Sequence, residues 1–130
     1  MKFIATFAAV IGYGTWAYWA NCNADMPDAV ATAWRAAAIQ GGYAGGLTLV
    51  NVYVLEILFN RLALYVSTVI SGSMAVLSAM VAQYALIIPV HILNHTPNIL
   101  MTLAPGLVIG TAFSITYVYN HSRQKKPVTF

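Results

Sequence analysis

Four long stretches without a charged residue constrain the fold of this chain more than any other feature. Residues 3–20, 36–55, 62–90 and 96–120 contain no Asp, Glu, Lys or Arg. A helix needs about 20 residues to cross a hydrocarbon core of about 30 Å, and backbone groups in lipid must be hydrogen-bonded within the segment. The stretches therefore predict four transmembrane helices, at about residues 3–20, 33–59, 62–89 and 97–119.

The composition excludes a soluble globule. Only 7% of the 130 residues are charged, 60% are hydrophobic and the mean hydropathy is +0.73, whereas soluble domains carry roughly 25% charged residues. We therefore expect a single domain over residues 1–130 that is all-α and integral to a membrane, with the four helices in an antiparallel bundle and lipid as the surrounding solvent.

The turn between the second and third helices is the hardest boundary to place, because no Gly or Pro separates them. One unbroken helix from Arg35 to Ile88 would be about 80 Å long, far more than a bilayer's thickness. Asn60 and Arg61 form the only polar pair in this region, which predicts a tight hairpin there, with the third helix beginning near Leu62.

The distribution of basic residues predicts the orientation. An even number of spans puts both termini on one side, and five of the six basic residues lie on that side: Lys2, Arg61, Arg123, Lys125 and Lys126. Only Arg35 lies on the other side. The positive-inside rule then predicts cytoplasmic termini in an inner (plasma) membrane. The basic tail, residues 121–130, is expected to attract anionic lipid headgroups, and it is too small a basic surface to predict nucleic-acid binding.

Small residues mark two spans as packing surfaces. The second span has two overlapping GxxxG patterns and the fourth has one, made by Gly41, Gly42, Gly45, Gly46, Gly106 and Gly110. Such spacing lets helix backbones approach closely in lipid. Two interpretations stay open. The glycines could pack the four helices of one chain, or they could form the contact of a homo-oligomer or a larger membrane complex.

A few polar residues within the spans are candidates for a substrate pathway. Glu56 is the one acidic residue in a span, and a carboxylate in lipid commonly marks an ion or proton path. Its position near Arg61 also fits a carboxylate satisfied at the headgroup level. A second group lies around the second span and the fourth: Gln40, Thr48 and Asn51 share one helix face, Arg35 lies at the outer helix end, and Pro105 should kink the fourth span and free the Met101 carbonyl. These polar groups could line a pathway or only bond neighbouring helices.

The sequence shows little that is typical of an enzyme or a cofactor site. His91 and His95 have the i, i+4 spacing of helical zinc ligands, but prolines flank the pair, so we treat them only as weak candidates and expect no metal. No serine in the spans has a histidine at its own depth, and no phosphate-binding loop is present. We therefore expect no enzymatic activity and no cofactor.

Two function classes remain. The first is a transporter, channel or flippase subunit that moves a small ion, metabolite or lipid-linked substrate. The second is a non-catalytic accessory or scaffold subunit of a larger membrane complex, which would use the glycine faces as contacts. The polar residues within the spans favour the first class, whereas the glycine patterns are compatible with both.

The predicted orientation can be checked at Cys22, the only cysteine in the chain. The predicted topology puts it in the first outer loop. A membrane-impermeant maleimide added to intact cells should label Cys22, and a Cys22→Ser variant should show the background. Labelling that requires access to the cytoplasmic face would overturn the orientation.

Overall fold

The computed structural model describes residues 2–124, which form four α-helices and contain no strand. The helices are α1 (Lys2–Asn21), α2 (Ala29–Leu62), α3 (Thr68–Leu93) and α4 (Ile99–Gln124). Lys125 and Lys126 of the predicted basic tail lie outside the described residues. His121 to Gln124 belong to the last turn of α4 rather than to a separate tail.

Three of the helices, α2, α3 and α4, are long and apolar enough to cross a membrane, and α1, with 20 residues, is less clearly so. The outer surface of the bundle agrees with a lipid environment. Large apolar side chains such as Leu100 (83% exposed) and Val69 (79% exposed) cover it on every helix. A soluble monomer rarely exposes continuous apolar surface of this kind.

Hydrogen bonds between side chains establish an up-and-down arrangement. The end of α1 contacts the beginning of α4 through Asn21 and Thr102, whose side chains are 2.8 Å apart. Later positions of α2 pair with earlier positions of α3, so these two helices are antiparallel. We call the end that carries residues 22–28 and 94–98 the two-loop end, and the opposite end the termini end.

The second helix is longer than predicted, and the turn that follows it lies further along the chain. It begins at Ala29, not near residue 33, because the alanine-rich segment 29–38 favours helix beyond the uncharged stretch. It passes Asn60 and Arg61 and ends at Leu62. The prediction that α3 begins near Leu62 was wrong. Ser67 caps α3, its hydroxyl oxygen accepting the Ile70 N–H, and the helix starts at Thr68.

The boundaries around the prolines also differ. Pro89 does not end α3, which continues for one further turn to Leu93. Transmembrane helices tolerate such an internal proline when neighbouring groups satisfy the backbone. The fourth helix begins at Ile99 rather than at Pro97, because Thr96 does not cap it. The Thr96 N–H instead bonds the His91 carbonyl and completes the turn that leaves α3.

The glycines of α2 divide into two faces. Gly41 and Gly45 face α1: a Cβ on Gly41 would lie 2.8 Å from the Val10 carbonyl oxygen, and one on Gly45 would lie 2.6 Å from a Val10 methyl carbon. Gly14 of α1 lies opposite Gly41, so neither helix has a side chain at this contact. Gly42 and Gly46 are exposed, and a Cβ on either would meet nothing within 4 Å. Of the four glycines in the α2 pattern, two thus pack against α1 and two face outward.

These two faces generate a matched test of the packing. Gly41→Ala should destabilise the protein by about 1–3 kcal/mol, because the added methyl group meets a backbone carbonyl that cannot move independently. Gly42→Ala, one residue away, should leave stability unchanged or slightly raised, since its methyl group enters open space and alanine favours helix. Unfolding with SDS in mixed micelles measures both. Equal effects of the two substitutions would contradict the assignment of the faces.

Candidate functional site

A central cavity lies near the middle of the bundle and receives residues from all four helices. Its volume is about 610 Å³, which is within the range of small-molecule sites. None of the side chains that line it carries a charge. The lining residues are Ala8, Ala9, Gly12, Tyr13, Trp16, Gln40, Tyr43, Ala44, Leu47, Thr48, Asn51, Gln83, Tyr84, Ile87, Leu103, Pro105, Gly106, Ile109, Gly110 and Phe113.

The central cavity opens between α1 and α4. The exposed residues of its lining come from these two helices alone: Ala8 and Gly12 from α1, and Ile109 and Phe113 from α4. The lining residues from α2 and α3 are buried or half-buried. The opening therefore leads sideways through the apolar outer surface of the bundle, not along the bundle axis.

At the two-loop end, hydrogen bonds hold α1 and α4 together. The Asn21 side chain is fully buried; it donates to the Thr102 hydroxyl (2.8 Å) and accepts the Asn98 backbone N–H (2.9 Å). Pro105 has no N–H to offer the Met101 carbonyl, and the Trp16 indole N–H fills that place at 2.7 Å. The segment of α4 that precedes Pro105 is thus tied to α1 next to the cavity.

On the floor of the cavity, Asn51 links three helices. Its oxygen accepts from the Gln83 amide of α3 (2.7 Å), and its nitrogen donates to the Ser114 hydroxyl of α4 (3.3 Å). The Tyr43 hydroxyl donates to the backbone carbonyl oxygen of Gln83 at 2.7 Å. These polar groups of the cavity wall are therefore engaged in hydrogen bonds that join the helices. Such bonds in membranes contribute about 0.6 kcal/mol each on average.

A buried chain of hydrogen bonds fixes the direction of the Gln40 amide. The Nε2 atom of His91 is 3.2 Å from Gln40 Oε1, and its Nδ1 atom is 3.0 Å from the Thr96 hydroxyl. Because an amide oxygen can only accept, the proton of the neutral ring lies on Nε2, and Thr96 donates to Nδ1. Asn94 in turn donates to Thr96. Because the Gln40 oxygen is bonded to His91, the Gln40 NH₂ group points away from the His91 ring.

That NH₂ group and the Tyr84 hydroxyl converge on Gly106. A Cβ placed on Gly106 would lie 3.4 Å from Tyr84 Oη and 3.8 Å from Gln40 Nε2. Within the described part of the chain, Tyr84 Oη makes no hydrogen bond, and no fully buried side-chain nitrogen or oxygen is left unpaired. The hydroxyl therefore points into the cavity, beside a glycine that leaves room for another atom.

The structure gathers several of the predicted pathway residues at the cavity and leaves others away from it. Gln40, Thr48, Asn51 and Pro105 all line it, although Thr48 bonds the Ala44 carbonyl of its own helix. Gly106 and Gly110, predicted to pack helices, are part of the cavity wall instead. Close packing fails there because the neighbouring space is the cavity itself, and a Cβ on Gly110 would meet nothing within 4 Å.

Glu56 and Arg35 lie outside the cavity. The Glu56 carboxylate accepts a hydrogen bond from the Tyr117 hydroxyl of α4, at the termini end. By helix periodicity, Gly45 and Glu56 lie on the same face of α2, but different helices cover that face along its length. Helix α1 packs against it at Gly45, and α4 packs against it at Glu56. The Arg35 side chain is exposed and bonds Thr32 of its own helix (3.2 Å), six residues after α2 begins.

The two histidines do not form a ligand pair. His91 is fully buried and both of its ring nitrogens have partners, whereas His95 lies beyond the end of α3, exposed, with a φ of 56°. The helical spacing on which the zinc hypothesis depended is thus broken after Leu93. In the described residues, no group of three or more His, Cys, Asp or Glu side chains could hold a metal ion.

The tyrosines of the cavity are the main residues that the sequence interpretation missed. Tyr13, Tyr43 and Tyr84 lie near the middle of their helices, not in the interfacial belts where membrane tyrosines are usually found. That depth is a signal that the sequence does contain. Gln83, an uncharged polar residue at the same depth in the third span, carries a similar signal.

Comparison with models of protein families, with characterised proteins and with solved structures finds no match to this chain. The cavity is therefore interpreted from its own geometry.

Proposed function

We propose that this protein is a small membrane carrier of the transporter or flippase class, which takes a lipid-soluble small molecule from the bilayer into its central cavity. The observation that carries the proposal is the cavity of about 610 Å³ at the middle of the bundle, with its opening between α1 and α4. An opening through an apolar outer surface suits a substrate that arrives from lipid. A channel for inorganic ions is less well supported, because the lining contains no charged side chain.

The proposal also includes α1 as a fourth membrane-spanning helix, and it includes the orientation of the chain in the membrane. Helix α1 has 20 residues and is therefore about 30 Å long, enough for the hydrocarbon core. It packs closely against α2 through Gly14 and Gly41, so the two helices occupy the same depth. With four spans, both termini lie on one side, and the basic residues favour the cytoplasm and an inner (plasma) membrane.

A second candidate function is a non-catalytic accessory subunit of a membrane complex. The observation that favours it is the outward GxxxG face of α2, where Gly42 and Gly46 are exposed and open. A surface of this kind admits the close approach of another helix. A homo-oligomer would use the same surface. The central cavity has no role in this alternative.

Two glycine substitutions separate these functions, since Gly110 lines the cavity and Gly46 lies on the outward face. In each case the new side chain enters open space, so neither should prevent folding. Proteoliposomes are loaded with an NBD-labelled glucosylceramide, whose headgroup is neutral and whose spontaneous flipping is slow. Dithionite then bleaches every molecule that reaches the outer leaflet. The protein should accelerate bleaching beyond the outer-leaflet fraction, Gly110→Leu should return it to the level of empty liposomes, and Gly46→Leu should leave it unchanged.

The accessory function predicts the opposite pattern. The protein would then not accelerate flipping at all, a stoichiometric membrane partner would co-purify with it in mild detergent, and Gly46→Leu rather than Gly110→Leu would remove that partner. This pattern would contradict the carrier proposal.

A further inference from the structure

We infer that the ligand of the central cavity is a neutral, chain-bearing lipid whose polar head presents a carbonyl oxygen, and that this oxygen is bound by the Tyr84 hydroxyl and the Gln40 NH₂ group above Gly106. The inference rests on the proposed function, because it names the ligand class of the same cavity. It follows from three properties of the wall: its charge, its free donors and its opening.

The charge of the wall excludes a charged head. No Lys, Arg, His, Asp or Glu is among the lining residues. Taking a phosphate, carboxylate or ammonium group into this cavity would remove its hydration without supplying an opposite charge, which is strongly unfavourable. A neutral head loses far less hydration on entry. Glu56, the one carboxylate within a span, is turned toward Tyr117 and lies outside the cavity.

At Gly106, the two polar groups that remain free can both donate a hydrogen bond. The Tyr84 hydroxyl has no partner among the described residues, and the Gln40 oxygen is held by His91, so its NH₂ group is the part that faces Gly106. By contrast, the Tyr43 hydroxyl is already used by the Gln83 carbonyl. Two donors from α3 and α2 thus converge where α4 has no side chain. The ligand atom that fits there is a hydrogen-bond acceptor, and a carbonyl oxygen can accept from both donors at once.

The opening accommodates the rest of the molecule. From Gly106, the wall of α4 continues through Ile109, Gly110 and Phe113, while α1 contributes only alanine and glycine at the opening. This path is apolar and leads between α1 and α4 to the lipid side. A head bound at Gly106 would therefore have its hydrocarbon chain directed outward, so that the chain need not be enclosed by the protein.

Carbonyl-bearing neutral lipids come from more than one source, and the probes of the test distinguish them. Wild-type protein in nanodiscs is incubated with a decyl-substituted benzoquinone or with monodecanoylglycerol, and bound probe is quantified after subtraction of empty nanodiscs. Decyl phosphate, which has the same chain length and a charged head, is the negative control. We expect one of the carbonyl probes to bind at a one-to-one ratio and decyl phosphate not to bind.

The test of the contact is Tyr84→Phe, with Tyr53→Phe, on the exposed surface of α2 and outside the cavity lining, as its matched control. Loss of the Tyr84 hydroxyl should weaken binding of the carbonyl probe about tenfold, the usual value of one well-placed hydrogen bond in a site of this kind. It breaks no hydrogen bond of the described structure, so the variant should fold. Tyr53→Phe makes the same chemical change on the outer surface of the bundle, where the side chain is 64% exposed, and should leave probe binding within about twofold of the wild type.

The outcomes separate the ligand class from the function. Failure of both carbonyl probes to bind, equal binding of decyl phosphate, or equal affinities of Tyr84→Phe and the wild type would each overturn the assigned ligand class. None of these results decides whether the protein flips lipids, which the Gly110→Leu comparison measures separately. Binding of the carbonyl probe without accelerated flipping would keep the ligand class and remove the carrier function.

Discussion

Hydrogen bonds between buried, uncharged side chains are the interaction on which this bundle depends. In lipid, apolar packing gains nothing from excluding water, so helices associate through close contacts and polar bonds. Here Asn21 joins α1 to α4, Gln40 joins α2 to α3, and Asn51 joins α2 to both α3 and α4. All fully buried side-chain nitrogen and oxygen atoms of the described residues have a partner. The interface between α1 and α2 is made instead by direct backbone approach, at Gly14 and Gly41.

The positions of these bonds explain why a cavity exists. Asn21 and Trp16 hold α1 against α4 at the two-loop end, and Asn51 bonds α3 and α4 at the floor of the cavity. Between them, the exposed lining residues of α1 are Ala8 and Gly12. The helices are thus joined above and below the cavity, and at its opening α1 presents no side chain larger than a methyl group. Neutral bonding groups also leave the wall without charge, so the same constraint that stabilises the fold restricts what the cavity can hold.

Much of the fold follows from the sequence, because uncharged runs and helix length are one-dimensional properties. The number of helices, the helical class and the region of each helix are readable in this way. The boundaries are not, since they depend on local groups such as the Ser67 cap, and Pro89 ends α3 only if no neighbour accommodates it.

At the site, Gln40, Thr48 and Asn51 share a helical face that the sequence shows directly. The partners of that face, such as Gln83 and Tyr84, depend on how α3 is rotated, which no pattern within a single helix specifies. Gly106 shows the same limit: its spacing with Gly110 is that of a packing motif, and only the position of the other helices makes it a cavity wall.

The most direct test of this account is the environment of the cavity wall in a bilayer. A nitroxide spin label can be attached at Gly110→Cys in a Cys22→Ser background, with Gly46→Cys as the reference on the outward face of α2. Collision with oxygen reports access from lipid, and collision with a water-soluble nickel complex reports access from water. An opening between α1 and α4 predicts that the label at position 110 is accessible to oxygen and protected from nickel. A label inaccessible to both reagents would show a closed core, and one accessible to nickel would show a water-filled pore; either result would contradict the account.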